Sequence, residues 1–550
     1  MTIRVSILVV ATLLFARSPS PVDAQEHQHE AHGKEDVGRV TFPTTCDPAV
    51  QPDLERAVAM LHSFWYEKAE ESFTAVAGRD PECAVAYWGV AMSLYKPLWQ
   101  PPSPAEVQRA SAAVTRAKTA KHADAREQAY VSAIASFYKD AAAVPHPARA
   151  AAYETAMAEL HAAYPKDDEA AAFYALALLG SAAASPADRT YGRQKKAAGL
   201  LDAVAAAHPQ HPGIAHYFIH AYDAPELAHL ALPSARAYAK IAPDVPHALH
   251  MPSHIFTRLG LWEDAIASNI ASAKTARAYA SKSGMAGAWD QELHALDYLM
   301  YGYLQGAQDR RAAQVLERLR AVTHAEPPVI AAAYALAAAP ARYALERHDW
   351  RAAAALALPV TNIAWDKYRW SESTIYYAAA LGAAQTGDLP RATHRVATLD
   401  ALYQELRGRD KYADVIDAQR RAAAGWIAQA NGRTDEAATL LRSAADLEES
   451  VEKHPVTPGA VLPARELLGD LLLAQQKPAD ALKAYQATLK HSPGRFNSVA
   501  GAMRAAERSG DGVTARRYAS ELLAMCTNAD TERPDTTEAK RIASGKGSSQ

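Results

Sequence analysis

Residues Ala464 to Pro493 read ARELLGDLLLAQQKPADALKAYQATLKHSP. The stretch reads as one unit of two helices. Gly469 after Leu468 supplies the small position at which two helices can cross closely. Ala481 is the matching small residue of the second helix, Tyr485 the bulky one four residues on, and Pro493 closes the unit.

The same arrangement recurs along the chain. Gly425-Trp426 is followed by the turn Asn431-Gly432-Arg433, then Ala437 and Leu441, with the same offset from glycine to alanine. Nearer the start, WYEKAEESFTAVAGRDPECAVAYWGVA places Ala69, Phe73 and Pro81 in one unit, with Tyr87 and Gly89 in the next helix. In HALHMPSHIFTRLGLWEDAIASN, Gly260 sits in the turn and Ala265 is the small residue. Period-2 alternation of β-branched and aromatic residues is scarce, so strands are not expected. These residues resemble the tetratricopeptide repeat (TPR) in type and in its period of about 34 residues. The resemblance is clear over about half the chain and implies an all-α, TPR-like α-solenoid. Each hairpin has apolar faces that only its neighbours can bury. The family resemblance further implies that first helices line a concave groove, and that peptides or proteins bind there. The segments HYFIHAYD and PHALHMPSHIFTRLG also resemble those of exported bacterial TPR proteins, a likeness that names no reaction.

The N-terminus assigns a compartment. Arg4 precedes the apolar run Val5–Phe15, and Val22-Asp23-Ala24 puts small residues before Gln25, the layout of a cleaved secretory signal. A periplasmic or secreted protein is therefore expected, with no transmembrane anchor, since the run is too short to span a bilayer. Residues 1–24 are read as signal peptide and 25–45 as a flexible leader containing His27, His29 and His32. A helical-repeat region with the histidine cluster follows over 46–325, divided near Ala325-Glu326-Pro327-Pro328 from a TPR region over 326–526. A disordered tail is expected over 527–550. The 550 residues carry 58 basic and 61 acidic side chains, net −3 and intermixed, and no basic stripe points to nucleic acid. Of three cysteines, Cys46 and Cys83 can pair in an oxidising compartment and leave Cys526 free; three unpaired thiols are the alternative.

Residues 212–297 depart from this helical background. His216 and His220 stand at i,i+4, with Asp223 three further on. His247, His250 and His254 follow at i, i+3 and i+7, and then His294 beside Glu292 and Asp297. Helical i,i+4 neighbours are close enough to share one ion, and imidazole suits copper, zinc, iron and nickel. With hairpins at 212–240, 246–281 and 285–304, all these histidines fall on first helices of consecutive units. Stacked axes about 8–10 Å apart would let them converge, with enough donors for one ion or two. Pro252 is expected inside a helix capped by Asp244, where it removes a hydrogen bond and kinks the axis. The other reading starts the helix at Pro252 and leaves His247 and His250 in a loop.

His216, His220, His250, His254 and His294 are the principal metal candidates, with His247 and His62 behind them. Asp223 is a further ligand candidate, although Asp223-Ala224-Pro225-Glu226 also reads as a capping box. Glu292 is the candidate acid/base residue. Tyr217, Tyr222, Tyr298 and Tyr301 stand near enough in sequence for oxidative chemistry at copper or iron. The expected cofactor is a transition metal ion, copper, zinc or iron, with no nucleotide cofactor, since no P-loop or Rossmann fingerprint occurs. Three functions remain open: a metal-dependent enzyme, oxidative or hydrolytic; a metal-free interaction scaffold; and metal storage or delivery.

Overall fold

The computed structural model describes residues 35–545, and the expected signal peptide and His27, His29 and His32 lie outside them. Antiparallel helical hairpins follow one another through these residues, giving an all-α helical-repeat solenoid of TPR type. Strand structure among the described residues amounts to Ala288–Trp289 paired in parallel with Ala325–Glu326. No described helix is long and apolar enough to cross a membrane.

Close helix crossing sets the repeat. A Cβ on Gly469 would sit 2.7 Å from the Tyr485 ring, and one on Gly501, in the next hairpin, 2.3 Å from the same ring. Tyr485 thus fills the space two glycines leave open on either side of its own helix, Pro478–His491. Gly89 stands in the same relation to Phe73, and Gly425 to Leu441. In each case the glycine leaves a flat backbone surface that receives the large side chain of the adjoining helix, which is how packed helices bury one another's apolar faces.

Buried ion pairs tie distant repeats together. Arg495 donates twice to Glu466, at 2.7 and 3.0 Å, and its Nη1 lies 2.8 Å from Glu346. Arg342 donates to Asp297 and to the carbonyls of Gly459 and Ala460. That anchors the segment between the helices Thr434–Ser450 and Ala464–Ala474.

Three expectations about the chain's organisation change. Residues 36–45 are packed rather than loose: Phe42 is buried and stacks on Trp88, Arg39 N–H donates to the Gln210 carbonyl, and Cys46 is bonded to Cys83. The expected disordered tail contains the helix Pro534–Ala543, which buries Thr536, Ala539 and Ile542. Three buried side chains over so short a stretch give little periodicity to read, and ion pairs Arg533–Asp309 and Arg541–Glu507 complete the docking. A core cluster running from Ile266 to Ile363 crosses Ala325–Pro328, so the proline pair turns the chain within the stack.

The helix break at Pro252 is real. Pro246–His250 and Pro252–Leu259 are separate helices joined through Met251, whose N–H still reaches the His247 carbonyl at 2.9 Å. Asp244 does not cap it. Val245 occupies the cap position, and the Asp244 carboxylate accepts the Asp36 N–H instead.

Crossing glycines and exposed glycines should respond oppositely to substitution. Gly501→Leu must displace Tyr485 and is expected to cost about 1–3 kcal/mol or more. Gly199→Ala, in the helix Gly192–Ala205 with nothing within 4 Å of the added carbon, is expected to stabilise by up to about 1 kcal/mol. Urea midpoints of the two variants against the parent chain check both signs.

Candidate metal centre

The first helices of three consecutive hairpins, the middle one broken at Met251, bring six imidazoles together. Pro212–Tyr222 contributes His216 and His220; Pro246–His250 contributes His247 and His250; Pro252–Leu259 contributes His254; and Asp290–Gln305 contributes His294. They sort into two triads. In His216, His220 and His247, and again in His250, His254 and His294, one nitrogen from each ring lies within 4.8 Å of the others. The triads adjoin: ring centroids of His220 and His254 are 6.1 Å apart, and those of His247 and His250 are 6.3 Å apart. His247 and His250 are three residues apart on one helix, about 4.5 Å along its axis, so one short helix feeds both.

The outward ring nitrogens decide the tautomers. His216 Nδ1 lies 2.7 Å from the His62 carbonyl, which can only accept, so Nδ1 carries the proton and Nε2 is a bare lone pair. His250 Nδ1 lies 2.7 Å from Asn269 Oδ1, and the Asn269 amide nitrogen donates to the Ala265 carbonyl, so the oxygen again accepts. His254 Nδ1 lies 3.0 Å from the Asp223 carboxylate. Burial opposes ionisation of Asp223, but Lys453, Arg258 and His254 outweigh it and hold its pKa well below the usual carboxylate range.

At His250 and His254 the inward nitrogens therefore meet lone pair to lone pair. His250 Nε2 and His254 Nε2 are 3.1 Å apart, and His216 Nε2 is 3.1 Å from both His220 Nε2 and His247 Nε2. Burial, the largest influence in each case, depresses proton affinity throughout: His216 falls to about 3, and His220, His247, His250 and His294 lie well below 6.5. Burial thus works against a proton bridging His250 and His254. A tetrahedral ion with bonds of about 2.0–2.1 Å would hold its donor nitrogens about 3.3–3.4 Å apart, close to the spacing found. His294 has no hydrogen-bond partner at either nitrogen, and His247 has none at Nδ1.

A third group shows the opposite arrangement. His62, Glu169 and His211 also lie together, but each lone pair there meets a proton. His211 Nδ1 accepts the Ile214 N–H, leaving Nε2–H to donate to Glu169 at 2.8 Å. Tyr217 hydroxyl donates to His62 Nδ1 at 2.8 Å, and His62 Nε2–H donates to Glu169 at 2.8 Å. This network is complete as it stands. The His62 side chain is therefore not in the imidazole centre; its backbone carbonyl serves the centre through His216.

Glu292 is not in it either. Its carboxylate takes Arg277 at 3.0 Å and Arg318 at 2.6 Å, because two residues before His294 on a helix is a different face. Asp223 faces Nδ1 of His254 rather than the converging nitrogens, so it orients a donor instead of being one, as carboxylates behind metal-bound histidines do. It is not a capping box: Glu226 bonds Tyr191 and not the Asp223 backbone. Of the tyrosines, Tyr298 stacks 5.1 Å from His254, and its hydroxyl lies 3.0 Å from both the Pro455 and Thr457 carbonyls and 3.4 Å from His254 Nε2. Tyr301 belongs to the Arg495 pair, and Tyr222 packs on Phe218.

Sequence reading missed Asn269, Lys453 and Trp99. Asn269 had a signal, an amide four residues after Ala265 on the face that packs inward. Lys453 contacts Asp223 at 3.2 Å, and Trp99 lies 5.7 Å from both His247 and His294. Both arrive on segments remote in sequence, and nothing local announces them.

No family model and no curated protein matches the chain. Among solved structures, it is similar to the P58(IPK) TPR domain at 14% identity, covering 70% of this chain and 99% of that one, with TM-score 0.21. It is similar to the human IFIT1 dimer with PPP-AAAA at 11% identity, 88% and 96% coverage and TM-score 0.36. Yeast Tom70 aligns at 10% identity, 90% and 96% coverage and TM-score 0.33. None of these likenesses bears on the histidines.

A buried imidazole with neither nitrogen satisfied costs about 1–3 kcal/mol. His294→Leu is therefore expected to raise the stability of metal-free protein by an amount of that order. Chemical denaturation in the presence of a chelator reads the sign.

Proposed function

We propose that this is an exported helical-repeat protein holding two transition-metal ions, one in each imidazole triad, as a metal-dependent reaction centre. The observation that carries this reading is the convergence of the His250 and His254 Nε2 lone pairs while Asn269 and Asp223 hold both protons on the far side of the rings. Histidine ligands are ordinarily fixed in this way, through the ring nitrogen that does not bind the ion. Imidazole-only donors suit copper, zinc or iron. The Cys46–Cys83 bond and the secretory-type N-terminus support a periplasmic or secreted location.

A helical-repeat solenoid is also a surface for peptides and protein partners, a role that fold-level analogy supports and that needs none of the imidazoles. Storage or delivery needs the metal but no turnover. Elemental analysis of protein purified without a histidine tag or chelators separates these readings. About two equivalents of metal are expected, with His216→Ala and His250→Ala each losing one and remaining helical. Protein that takes up no copper, zinc or iron on reconstitution would leave the partner-binding role. Metal that exchanges freely, without turnover in an activity screen, would favour delivery.

The orienting residues give an independent check. Asn269→Leu removes the acceptor that fixes His250 and leaves the first triad untouched. Affinity for the second ion is expected to fall about 10–100-fold, with the first unchanged, in competition titrations against a chromophoric chelator.

A further inference from the structure

Fixed charge around the triads limits what can enter them. All six donors are neutral, and the one carboxylate at the centre, Asp223, is already shared by Arg258 at 2.9 Å and Lys453 at 3.2 Å. Two cations therefore stand against one anion before any metal arrives. Two divalent ions would add four further positive charges in a site where five of the six imidazoles are 0–2% exposed. Buried uncompensated charge is expensive, so the surroundings favour ions of the lowest charge that imidazole still binds well. Of copper, zinc and iron, copper alone has a readily accessible monovalent state.

The walls indicate the kind of ligand. The Phe64 ring lies 4.3 Å from His216 and 5.6 Å from His247, Trp99 faces His247 and His294, and the Tyr298 ring lies 4.6 Å from His250. An aromatic enclosure with little exposed imidazole admits a small neutral molecule more readily than an ion or a bulky substrate.

We propose that the two triads take their metal as copper(I) and that the small molecule the pair binds is dioxygen. This rests on the two-ion reading above. The electron count suits the site. Each copper(I) gives one electron and becomes copper(II), while dioxygen takes both, loses its O–O double bond and becomes peroxide with a single O–O bond. No proton is required. The two metals and the oxygen together carry two positive charges before the transfer and two after it, because the peroxide's two negative charges arise as the metals gain theirs. A buried site without spare counter-charges can host such a step with no change in its total charge.

The test uses the full protein, stripped of metal and reloaded anaerobically with copper(I), zinc(II) or iron(II) in parallel, then desalted and analysed for metal. On exposure to air, the copper form is expected to consume one dioxygen per copper pair at an oxygen electrode. The oxidised product should show little copper(II) signal by electron paramagnetic resonance, since two ions joined through one peroxide pair their spins. The zinc form should consume none. Retained copper without oxygen uptake, or a full signal from two isolated copper(II) ions, would overturn the inference and leave the two-ion reading standing. Preference for zinc or iron over copper(I) would do the same. Retention of none of the three metals would overturn both.

Discussion

Two imidazole lone pairs held 3.1 Å apart, as at His250 and His254, repel each other unless something positive lies between them. A proton would serve in water, but burial depresses the proton affinity of both rings. What keeps the lone pairs aimed inward is the acceptor behind each ring, the Asn269 amide oxygen and the Asp223 carboxylate. The His62 carbonyl does the same for His216. The tautomers of these three rings depend on these three acceptors, because a donor in any of their places would reverse the tautomer and turn the contact into an ordinary hydrogen bond. The His62–Glu169–His211 group is that ordinary case, and it lies only one residue's backbone away from His216.

Repeat architecture is what places the acceptors. First helices of successive hairpins lie side by side, so side chains one or two turns apart on one helix meet those on the next. Asn269 comes from the second helix of the hairpin that carries His250, and Asp223 from the end of the preceding hairpin's first helix. The break between Pro246–His250 and Pro252–Leu259 occurs between His250 and His254, which then approach each other through Nε2 although they stand on two helical segments. Remote repeats close the arrangement: Lys453 reaches Asp223, and Tyr298, Arg342 and Asp297 hold the segment that carries Lys453.

Much of this was legible from residues alone, for physical reasons that differ by element. Glycine and tyrosine spacings around Gly469 and Tyr485 announced the hairpins because close backbone approach tolerates few residue types. Spacing of i,i+4 in His216/His220 and the run through His254 placed the imidazoles on one face, since helical periodicity is local. His247 ranked too low because its partner, His216, belongs to another hairpin. Glu292 misled: proximity to His294 in sequence is distance around a helix, and two arginines already claim it. His62, a secondary ligand candidate, has its ring bonded to Tyr217 and Glu169 and meets His216 through its main chain, which no side-chain pattern can reveal. The helix Pro534–Ala543 escaped notice because three buried contacts and a few ion pairs, not periodicity, hold it.

Anomalous diffraction from crystals of metal-loaded protein, collected on both sides of the absorption edge of the bound metal, tests the central claim most directly. The account predicts two separate peaks, one bounded by Nε2 of His216, His220 and His247 and the other by nitrogens of His250, His254 and His294, with the Asn269 and Asp223 contacts intact. Metal found at His62, Glu169 and His211, or no ordered metal with His250 and His254 turned apart, would contradict it.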